Sequence, residues 1–176
     1  MIDALPLPFV FHSRAGESTL RRARLEDADA VIALLADDAI SATRGDVASP
    51  DDRPLYVAAC ERVLAAAGND LLVIELDGIV VGTLQLTVVP GMARRGALRL
   101  LVEAVRVNRT LRSSGIGSAA MRWVTGAAAP ALGVAMVQLT SDATRTDAHR
   151  FYENLGFEAS HLGFKFVVSS GQNATA

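Results

Sequence analysis

The chain is poor in the residues that make disulfides and metal sites, with one cysteine and three histidines among 176 residues. The lone Cys60 excludes an internal disulfide and a Cys-x-x-Cys metal knuckle, and it is typical of a protein in the reducing cytoplasm. His12, His149 and His161 are scattered along the chain and lack the spacing of a zinc site. We therefore expect a cytoplasmic protein without a metal.

Lysine and net positive charge are scarce too, since Lys165 is the only lysine and the formal net charge is −2. This balance gives no electrostatic footprint for nucleic acid, so we expect no nucleic-acid partner. No apolar run reaches the roughly 20 residues of a membrane span, and we expect no membrane partner. Near the N-terminus, Asp3 stands where a signal peptide carries positive charge, and Pro6 and Pro8 interrupt the short apolar stretch.

The remaining composition is typical of one globular domain. Hydrophobic residues make up 51% of the chain and charged residues 20%, which excludes a largely disordered protein. We predict an N-terminal arm over residues 1–18, either loose or forming an accessory strand, and one domain over residues 19–168. Residues 169–176 are expected to form a frayed polar tail.

The first half of the domain combines helices with an antiparallel hairpin. A strand over 19–27 precedes two helices, over 28–40 and 55–68. Two strand-like runs then flank Asp77-Gly78, which is the signature of a two-residue type I′ hairpin.

The second half alternates strands and helices. The predicted elements are a strand over 97–107, a helix over 118–129 ended by Pro130, a strand over 134–140, a helix over 145–156 and two strands over 157–169. This order predicts a mixed sheet with a parallel step around the glycine-containing loop that precedes the helix at 118.

That loop carries the sequence Arg112-Ser-Ser-Gly115-Ile-Gly117. Glycines at the mouth of a helix expose a nest of backbone N–H groups at the positive end of its dipole, which suits an anion. Gly115-x-Gly117-x-x-Ala120 also satisfies the dinucleotide fingerprint, with Asp142 as a ribose-binding acid. Against a dinucleotide, residues 108–114 separate the glycines from the strand, and the preceding strands are antiparallel. A glycine-rich helix start that binds nothing is the third alternative.

The same motif resembles the R/Q-x-x-G-x-G/A signature with which the GCN5-related N-acetyltransferase (GNAT) superfamily holds the pyrophosphate of acetyl-CoA. A second stretch, residues 147–161, resembles the C-terminal element of that superfamily, a helix with Ala148-x-x-x-Tyr152 that ends in Gly156-Phe157. The resemblance covers roughly residues 19–168. It implies an α/β fold with a central, mostly antiparallel sheet of about six to seven strands and about four helices.

The resemblance also implies a cofactor site for acetyl-CoA as acyl donor. In that superfamily two neighbouring strands splay apart, and the pantetheine arm hydrogen-bonds to the main chain of the open edge, here Val105, Arg106 and Val107. The other implied residues are Arg112, Ser113, Ser114, Gly115, Ile116, Gly117 and Ser118 in the loop, and Arg145 and Tyr152 on the last helix. Two positions depart from the family pattern. Arg145 replaces a common asparagine, and Ser113 stands where glycine is frequent.

Transfer of an acetyl group to an amine requires a proton acceptor, because a protonated amine cannot attack a thioester. Glu103 is the candidate base, since an acid on a mostly apolar strand is costly unless it has a partner or a function. The alternatives are an ion pair with Arg99, on the same strand face by parity, or plain exposure to solvent.

Tyr152 is the candidate acid for the departing thiolate, because it stands at the position of the family tyrosine and a phenol can donate a proton. The alternative is a tyrosine packed partly in the core with its hydroxyl at the surface. Both residues together favour an enzyme over the second function class, an acyl-CoA-binding or regulatory module without catalysis.

The acceptor is a small-molecule or peptide amine that the sequence leaves unidentified. Candidate contacts to it are Glu103, Thr140, Ser141, Asp142 and His161, although ordinary turn chemistry also accounts for residues 140–142. We expect the acceptor to be selected by residues 41–54, residues 90–96 and the last pair of strands. For the oligomeric state, the resemblance favours a homodimer.

Overall fold

The computed structural model describes residues 2–42 and 45–166. The chain divides into two compact units, residues 1–139 and 140–176. The strands, all in the first unit, are β1 (Phe9–Ser13), β2 (Gly16–Arg22), β3 (Asn69–Leu76), β4 (Ile79–Val89), β5 (Arg99–Val107) and β6 (Met136–Leu139).

The helices of the first unit are α1 (Ala28–Ala36), α2 (Ala39–Ala42), α3 (Arg53–Ala65), the single turn α4 (Ala93–Gly96), α5 (Ile116–Trp123) and α6 (Ala129–Ala131). A π-helical turn, Val124–Ala128, joins α5 to α6. The second unit contains α7 (Thr146–Glu153). Short 3-10 turns cover Ile2–Ala4, Leu25–Asp27, Pro50–Asp52 and Arg109–Leu111.

The six strands form one sheet in sequence order, β1-β2-β3-β4-β5-β6. Neighbouring strands from β1 to β5 are antiparallel, and β6 runs parallel to β5. The predicted mixed α/β fold with a mostly antiparallel sheet is therefore confirmed. Its one parallel step follows the loop that contains the two glycines, because a parallel neighbour requires a crossover and α5 provides it.

The hairpin between β3 and β4 is closed by the two residues that the sequence indicated. Leu76 pairs with Ile79, so only Asp77 and Gly78 form the loop. Both have positive φ, 51° and 78°, as a type I′ turn requires. This turn fixes the register of the two central strands.

Both faces of the sheet are covered. Val31 of α1 and Cys60 of α3 pack with Leu71 and Val73 of β3. Leu72 lies between these two residues on β3, so its side chain faces the opposite side of the sheet, and it is also fully buried. On the face of β1, the ring of Phe9 stacks with Trp123 of α5 at a centroid distance of 6.3 Å. The core thus lies on both faces of β3, β4 and β5. The contact between Phe9 and Trp123 packs the C-terminal end of α5 against β1.

An ion-pair cluster joins β2, β3 and the start of α1. The Arg21 guanidinium donates to both carboxylate oxygens of Asp27, at 2.8 and 3.0 Å, and to Glu75 at 2.9 Å. The Asp27 carboxylate also accepts the backbone N–H of Arg24 at 2.8 Å. The hydrogen bonds from Arg21 hold the pKa of the Asp27 carboxyl below its usual range, despite partial burial.

Two details of the prediction are wrong. The helix that follows the glycine loop continues past Pro130 to Ala131. It does so because the π turn ends just before α6, and Pro130 occupies the first turn of that new segment, where its missing N–H is not needed.

The second error concerns the strand pair predicted over 157–169. Residues 157–166 contain no strand, and residues 167–169 lie outside the described residues, as does the predicted tail over 169–176. The alternation that suggested a strand is present, with Leu162, Phe164 and Phe166 exposed at 85%, 92% and 90%. Alternation alone does not make a strand, which also needs a neighbouring strand to accept its hydrogen bonds.

The Arg21 cluster predicts a pH-dependent stability. Asp27→Asn should lower the free energy of unfolding at pH 7 by roughly 1.5–3 kcal/mol, because it removes charge-assisted hydrogen bonds at a nearly buried site. The folded pKa of Asp27 is lowered, so this contribution is present above the unfolded pKa of about 3.9 and is lost as the pH falls through the folded pKa. Urea unfolding at pH 7 and near pH 3 measures it.

Asp29→Asn is the matched control, since its carboxylate pairs with Arg53 on the surface and is 64% exposed. Its effect at pH 7 should be clearly smaller. Equal losses for the two variants, or a loss for Asp27→Asn that persists at low pH, would contradict the assignment of stability to the Arg21 cluster.

Candidate functional site

The loop between β5 and α5 is shaped by a series of local turns. Asn108 accepts the backbone N–H of Thr110 at 3.0 Å, which starts the 3-10 turn Arg109–Leu111. The chain then adopts positive φ at Ser113, 63°, and at Gly115, 102°. Gly115 is the N-cap residue of α5. A β-carbon there would have Ser13 as its nearest neighbour, at 3.9 Å, so the backbone conformation rather than lack of space favours glycine.

The start of α5 has no side-chain cap. Its first intrahelical bond runs from the Ala119 N–H to the Gly115 carbonyl at 2.9 Å. The N–H groups of Ile116, Gly117 and Ser118 therefore have no acceptor within the helix and point out of its end. Unpaired backbone donors at the positive end of a helix dipole suit an anion, and binding of an anion here stays a prediction.

Neighbouring groups complete this site. The Ser113 carbonyl accepts a bond from the Arg14 guanidinium, and the Ser114 carbonyl accepts the Arg14 backbone N–H at 2.9 Å. The loop carbonyls that would repel an anion are thus bonded to Arg14. The buried hydroxyl of Ser114 has no hydrogen-bond partner within the part of the chain that the structure describes. An unused buried donor beside an uncapped helix start fits a phosphate group.

The arginines of the loop are partly engaged with the end of α1. Arg112 donates to the carbonyls of Asp37 at 3.1 Å and Val107 at 3.4 Å, which uses two of its five N–H donors. Arg109 forms an ion pair with the Asp37 carboxylate at 3.2 Å. Sequence reasoning identified Arg112 but missed Arg14, Arg109 and Asp37. No sequence signal marks them, because their contacts join segments that are distant along the chain.

Strand β5 extends beyond its pairing with β6. The parallel pairing ends at Val102 opposite Leu139, whereas β5 continues to Val107. Among the described residues, no strand pairs with residues 103–107 on this side. The carbonyls of Val105 and Val107 accept bonds from the guanidinium groups of Arg106, at 2.8 Å, and Arg112. The predicted open strand edge is therefore present in the sheet.

On the other side of β5, a β-bulge changes the register with β4. Gln85 pairs with Glu103 and Thr83 pairs with Arg106, so two β5 residues, Ala104 and Val105, oppose one β4 residue. Ala104 has a φ of 51°. Bulges of this kind redirect the side chains that follow them.

Glu103 is exposed and lies directly before this bulge. The Arg99 guanidinium donates to the Gln138 amide oxygen on β6 at 2.8 Å, and the exposure of Glu103 agrees with the third alternative, plain exposure to solvent. No ion pair joins Arg99 and Glu103 among residues 2–42 and 45–166. The carboxylate of Glu103 is accessible to a ligand, and its role as a base stays a prediction.

In the second unit, the end of α7 explains the second sequence motif. The Phe157 N–H donates to the Tyr152 carbonyl at 3.1 Å, and the Gly156 N–H donates to the Glu153 carbonyl at 2.9 Å. Gly156 has a φ of 88°. These bonds define a Schellman motif with Gly156 at C′. The rings of Tyr152 and Phe157 are in edge contact, with centroids 5.8 Å apart. Tyr152 therefore has a packing role, beside any role in catalysis.

The other predicted residues of this unit are used in part by local turns. The Asp142 carboxylate accepts the N–H of Thr144 at 3.0 Å, and its carbonyl accepts a bond from the His149 ring at 2.8 Å. Asp142 thus has the turn role that was its alternative. Arg145 is the N-cap residue of α7.

Three further candidates for acceptor contacts differ in exposure. The buried Ser141 hydroxyl has no hydrogen-bond partner in the described part of the chain. Thr140 is exposed, and so is His161, whose ring nitrogen bonds the Ser160 hydroxyl at 2.8 Å. Contacts of these residues with an acceptor stay predictions.

Two kinds of feature are absent from the described residues. None of their helices combines the length and the apolar character needed to cross a bilayer. They also contain no group of three or more His, Cys, Asp or Glu side chains arranged to hold a metal ion.

Residues 31–157 match the model of the acetyltransferase (GNAT) family. A transcriptional regulator from Bacillus halodurans C-125 is 35% identical, with a TM-score of 0.81 over 86% of this chain and 99% of that one. An acetyltransferase from Trypanosoma brucei is 24% identical, with a TM-score of 0.69 over 86% and 99%.

Glucosamine-6-phosphate N-acetyltransferase from Arabidopsis thaliana is 16% identical, with a TM-score of 0.69 over 86% of this chain and 99% of that one. The similarity to the Trypanosoma and Arabidopsis proteins concerns the fold alone. No curated protein sequence matches the chain.

The Schellman motif predicts the cost of replacing Gly156. Gly156→Ala should destabilise the protein by about 1–2 kcal/mol, since a β-carbon is unfavourable at a φ of 88°. No atom lies within 4 Å of the added carbon, so the cost comes from the backbone alone. Urea unfolding measures it.

Gly126→Ala is the matched control. Gly126 lies in the π turn, its added carbon would also meet no atom within 4 Å, and its φ is not positive. This variant should be neutral or more stable by about 0.5–1 kcal/mol. A Gly156→Ala protein as stable as the wild type would mean that α7 does not depend on this cap.

Proposed function

The chain belongs to the acetyltransferase (GNAT) family, and from this we propose that it transfers the acetyl group of acetyl-CoA to a primary amine by direct attack in a ternary complex. Acyl transfer is the activity of the family. The observation that carries the proposal for this chain is the uncapped start of α5, with the unpaired Ser114 hydroxyl beside it. We keep residues 19–168 as the proposed catalytic domain, although the preceding arm contributes β1 and the start of β2 to the same sheet.

The proposed donor site uses the loop for the pyrophosphate and the edge of β5 for the pantetheine arm. An arm with amide groups can hydrogen-bond to an open strand edge as an added strand does. The proposed residues are Val105, Arg106 and Val107 on the strand, Arg112, Ser113, Ser114, Gly115, Ile116, Gly117 and Ser118 in the loop, and Arg145 and Tyr152 on α7. The bound thioester supplies the acyl group.

Glu103 is proposed to accept the proton of the attacking amine, directly or through water. The new C–N bond forms as the C–S bond of the thioester breaks, and the amine proton must leave for the product to be neutral. An alkylamine has a pKa near that of lysine, about 10.4, so at neutral pH most of it is protonated and unable to attack. The support for this role is that Arg99 is bonded to Gln138 and that an accessible carboxylate can contact an amine.

Tyr152 is proposed to donate a proton to the departing thiolate of coenzyme A. Its support is the family motif, which places a tyrosine at this point of the last helix. The Schellman motif adds a physical reason for rigidity, because the Tyr152 carbonyl accepts the bond that closes the helix. A well-fixed ring is what a general acid requires.

A module that binds acyl-CoA without catalysis is the second candidate. The observation in its favour is that the 35% identical structure is named a transcriptional regulator. The net charge of −2 gives no support to direct binding of nucleic acid. A dinucleotide-binding domain is the least supported alternative, since β3, β4 and β5 before the glycine loop are antiparallel. For the assembly, a homodimer stays our proposal.

Acetyl-CoA should stabilise the folded protein, and NADH should not. At about 100 times its Kd, a ligand of the native state adds about 2.7 kcal/mol, which corresponds to a rise in Tm of roughly 5–10 °C for a chain of this size. Thermal melting with each ligand measures this, and release of free CoA with a panel of amines tests catalysis. Binding without CoA release from any amine would favour the regulatory module, and a shift with NADH alone would favour the dinucleotide alternative.

Glu103→Gln should reduce turnover most at low pH, where the free amine is scarce and proton removal is most needed. Acetyl-CoA affinity should change little, because the carboxylate is assigned to the amine. Rates of CoA release between pH 6 and 9, together with calorimetry of acetyl-CoA, test both points. A loss of Tm with normal turnover per folded molecule would instead indicate a structural role.

Tyr152→Phe should retain the fold and acetyl-CoA binding, because the ring still contacts Phe157 and only the hydroxyl is lost. Turnover should fall by roughly 10²- to 10⁴-fold, the usual contribution of a positioned general acid. The loss should shrink for an acyl donor whose thiol is more acidic, since that thiolate departs without protonation. A fall below about threefold that is the same for both donors would leave Tyr152 a purely structural residue.

A further inference from the structure

A cavity of about 110 Å³ lies between helices α1 and α3 and the sheet. Val31 and Leu35 of α1 and Ala59 and Val63 of α3 line its sides, and Gln85 and Ala104 lie at the sheet. Native cores rarely leave spaces larger than a water molecule. This cavity is several times that size and has room for a small apolar group.

The cavity meets the sheet at the bulge between β4 and β5. Ala104 lines the cavity and follows Glu103 in the chain, and Gln85, which also lines it, pairs with Glu103 across the strands. The proposed base thus stands beside the cavity by chain position and by register. Glu103 itself does not line the cavity, and two of its neighbours do.

Among the described residues that line the cavity, none has a charged side chain. Burial raises the pKa of the Cys60 thiol, so it stays protonated at neutral pH. The Tyr56 hydroxyl donates to the Asp46 carboxylate at 2.7 Å, and this bond raises the pKa of Tyr56 to about 12. A charged or strongly polar group would lose its hydration here without a charged partner. The surroundings suit an apolar group.

The Tyr56 bond also connects the cavity to residues 45–52, the described part of the loop that precedes α3. Asp46 belongs to that loop, which we expected to select the acceptor. One hydrogen bond therefore joins Tyr56 in the wall of the cavity to Asp46 in the loop.

We infer that this cavity receives a compact apolar substituent of the acceptor, so that the acceptor is a primary amine with a short branched aliphatic chain. The inference rests on the proposed acetyltransferase function. A dry cavity of about 150 Å³ accommodates benzene, so a space of about 110 Å³ suits roughly four carbon atoms. A diamine or an amino sugar would place charge or hydroxyls against apolar walls.

The test measures kcat/KM for ethylamine, propylamine, isobutylamine and 1,4-diaminobutane by CoA release. Each methylene buried in the cavity should raise kcat/KM about fourfold, up to isobutylamine. The diamine should be at least about tenfold poorer than isobutylamine. Equal kcat/KM values across the panel would overturn the inference and leave the acetyltransferase function standing.

Ala59→Leu fills the cavity from α3 and should lower kcat/KM for isobutylamine about tenfold or more, with ethylamine changed less than about threefold. Ala65→Leu, exposed at the end of the same helix, is the matched control and should leave both amines unchanged. Val63→Ala enlarges the space and should shift the preference towards a longer amine. If Ala59→Leu fails to fold, the inference is tested by Val63→Ala, and an unchanged amine preference in that variant overturns it.

If no amine releases CoA, the proposed function fails, and binding of isobutylamine followed by ligand-detected NMR decides the inference separately. Binding that Ala59→Leu abolishes and Ala65→Leu keeps supports the cavity as an amine site. No binding, or binding that Ala59→Leu leaves intact, overturns it.

Discussion

The register shift between β4 and β5 is the constraint on which the candidate site depends. Because Ala104 and Val105 together oppose one residue of β4, the strand turns at the point where Glu103 is exposed and Ala104 reaches the cavity. Beyond the shift, β5 no longer pairs with β6, and its edge leads directly into the loop before α5. This bulge thus lies next to the proposed base and the open strand edge, on the strand that leads into the proposed anion site. The sheet has a second register shift, between Ile74 and Glu75 in the pairing of β3 with β4.

The two sequence motifs, at the start of α5 and at the end of α7, act through backbone conformation, and this is why they could be predicted. A glycine at the N-cap leaves N–H groups of α5 uncapped, and a glycine at C′ lets α7 end in a Schellman motif. Both depend on local φ values that residue identity controls. The hairpin turn at Asp77-Gly78 and the order of strands and helices follow from equally local signals. The fold was accessible from the sequence for that reason.

Contacts between distant segments could not be predicted in the same way. Arg14, just after β1, and Asp37, just after α1, contact the loop between β5 and α5. Gln138 accepts the hydrogen bond of Arg99, which strand parity had assigned to Glu103. The cavity depends on how α1 and α3 pack on the sheet, which no periodicity reports. The strands predicted over 157–169 failed, within the described residues, for a related reason. Their apolar alternation is local, but a strand exists only through its neighbours.

Backbone amide NMR during a titration tests most directly whether the start of α5 holds the pyrophosphate of acetyl-CoA. Acetyl-CoA should shift the amide resonances of Gly115, Ile116, Gly117 and Ser118 most strongly, because those N–H groups would bond phosphate oxygens. S-acetylpantetheine, which has the same acyl arm without the pyrophosphate, should leave them nearly unchanged. Acetyl-CoA that binds while these four amides stay unperturbed would contradict the account.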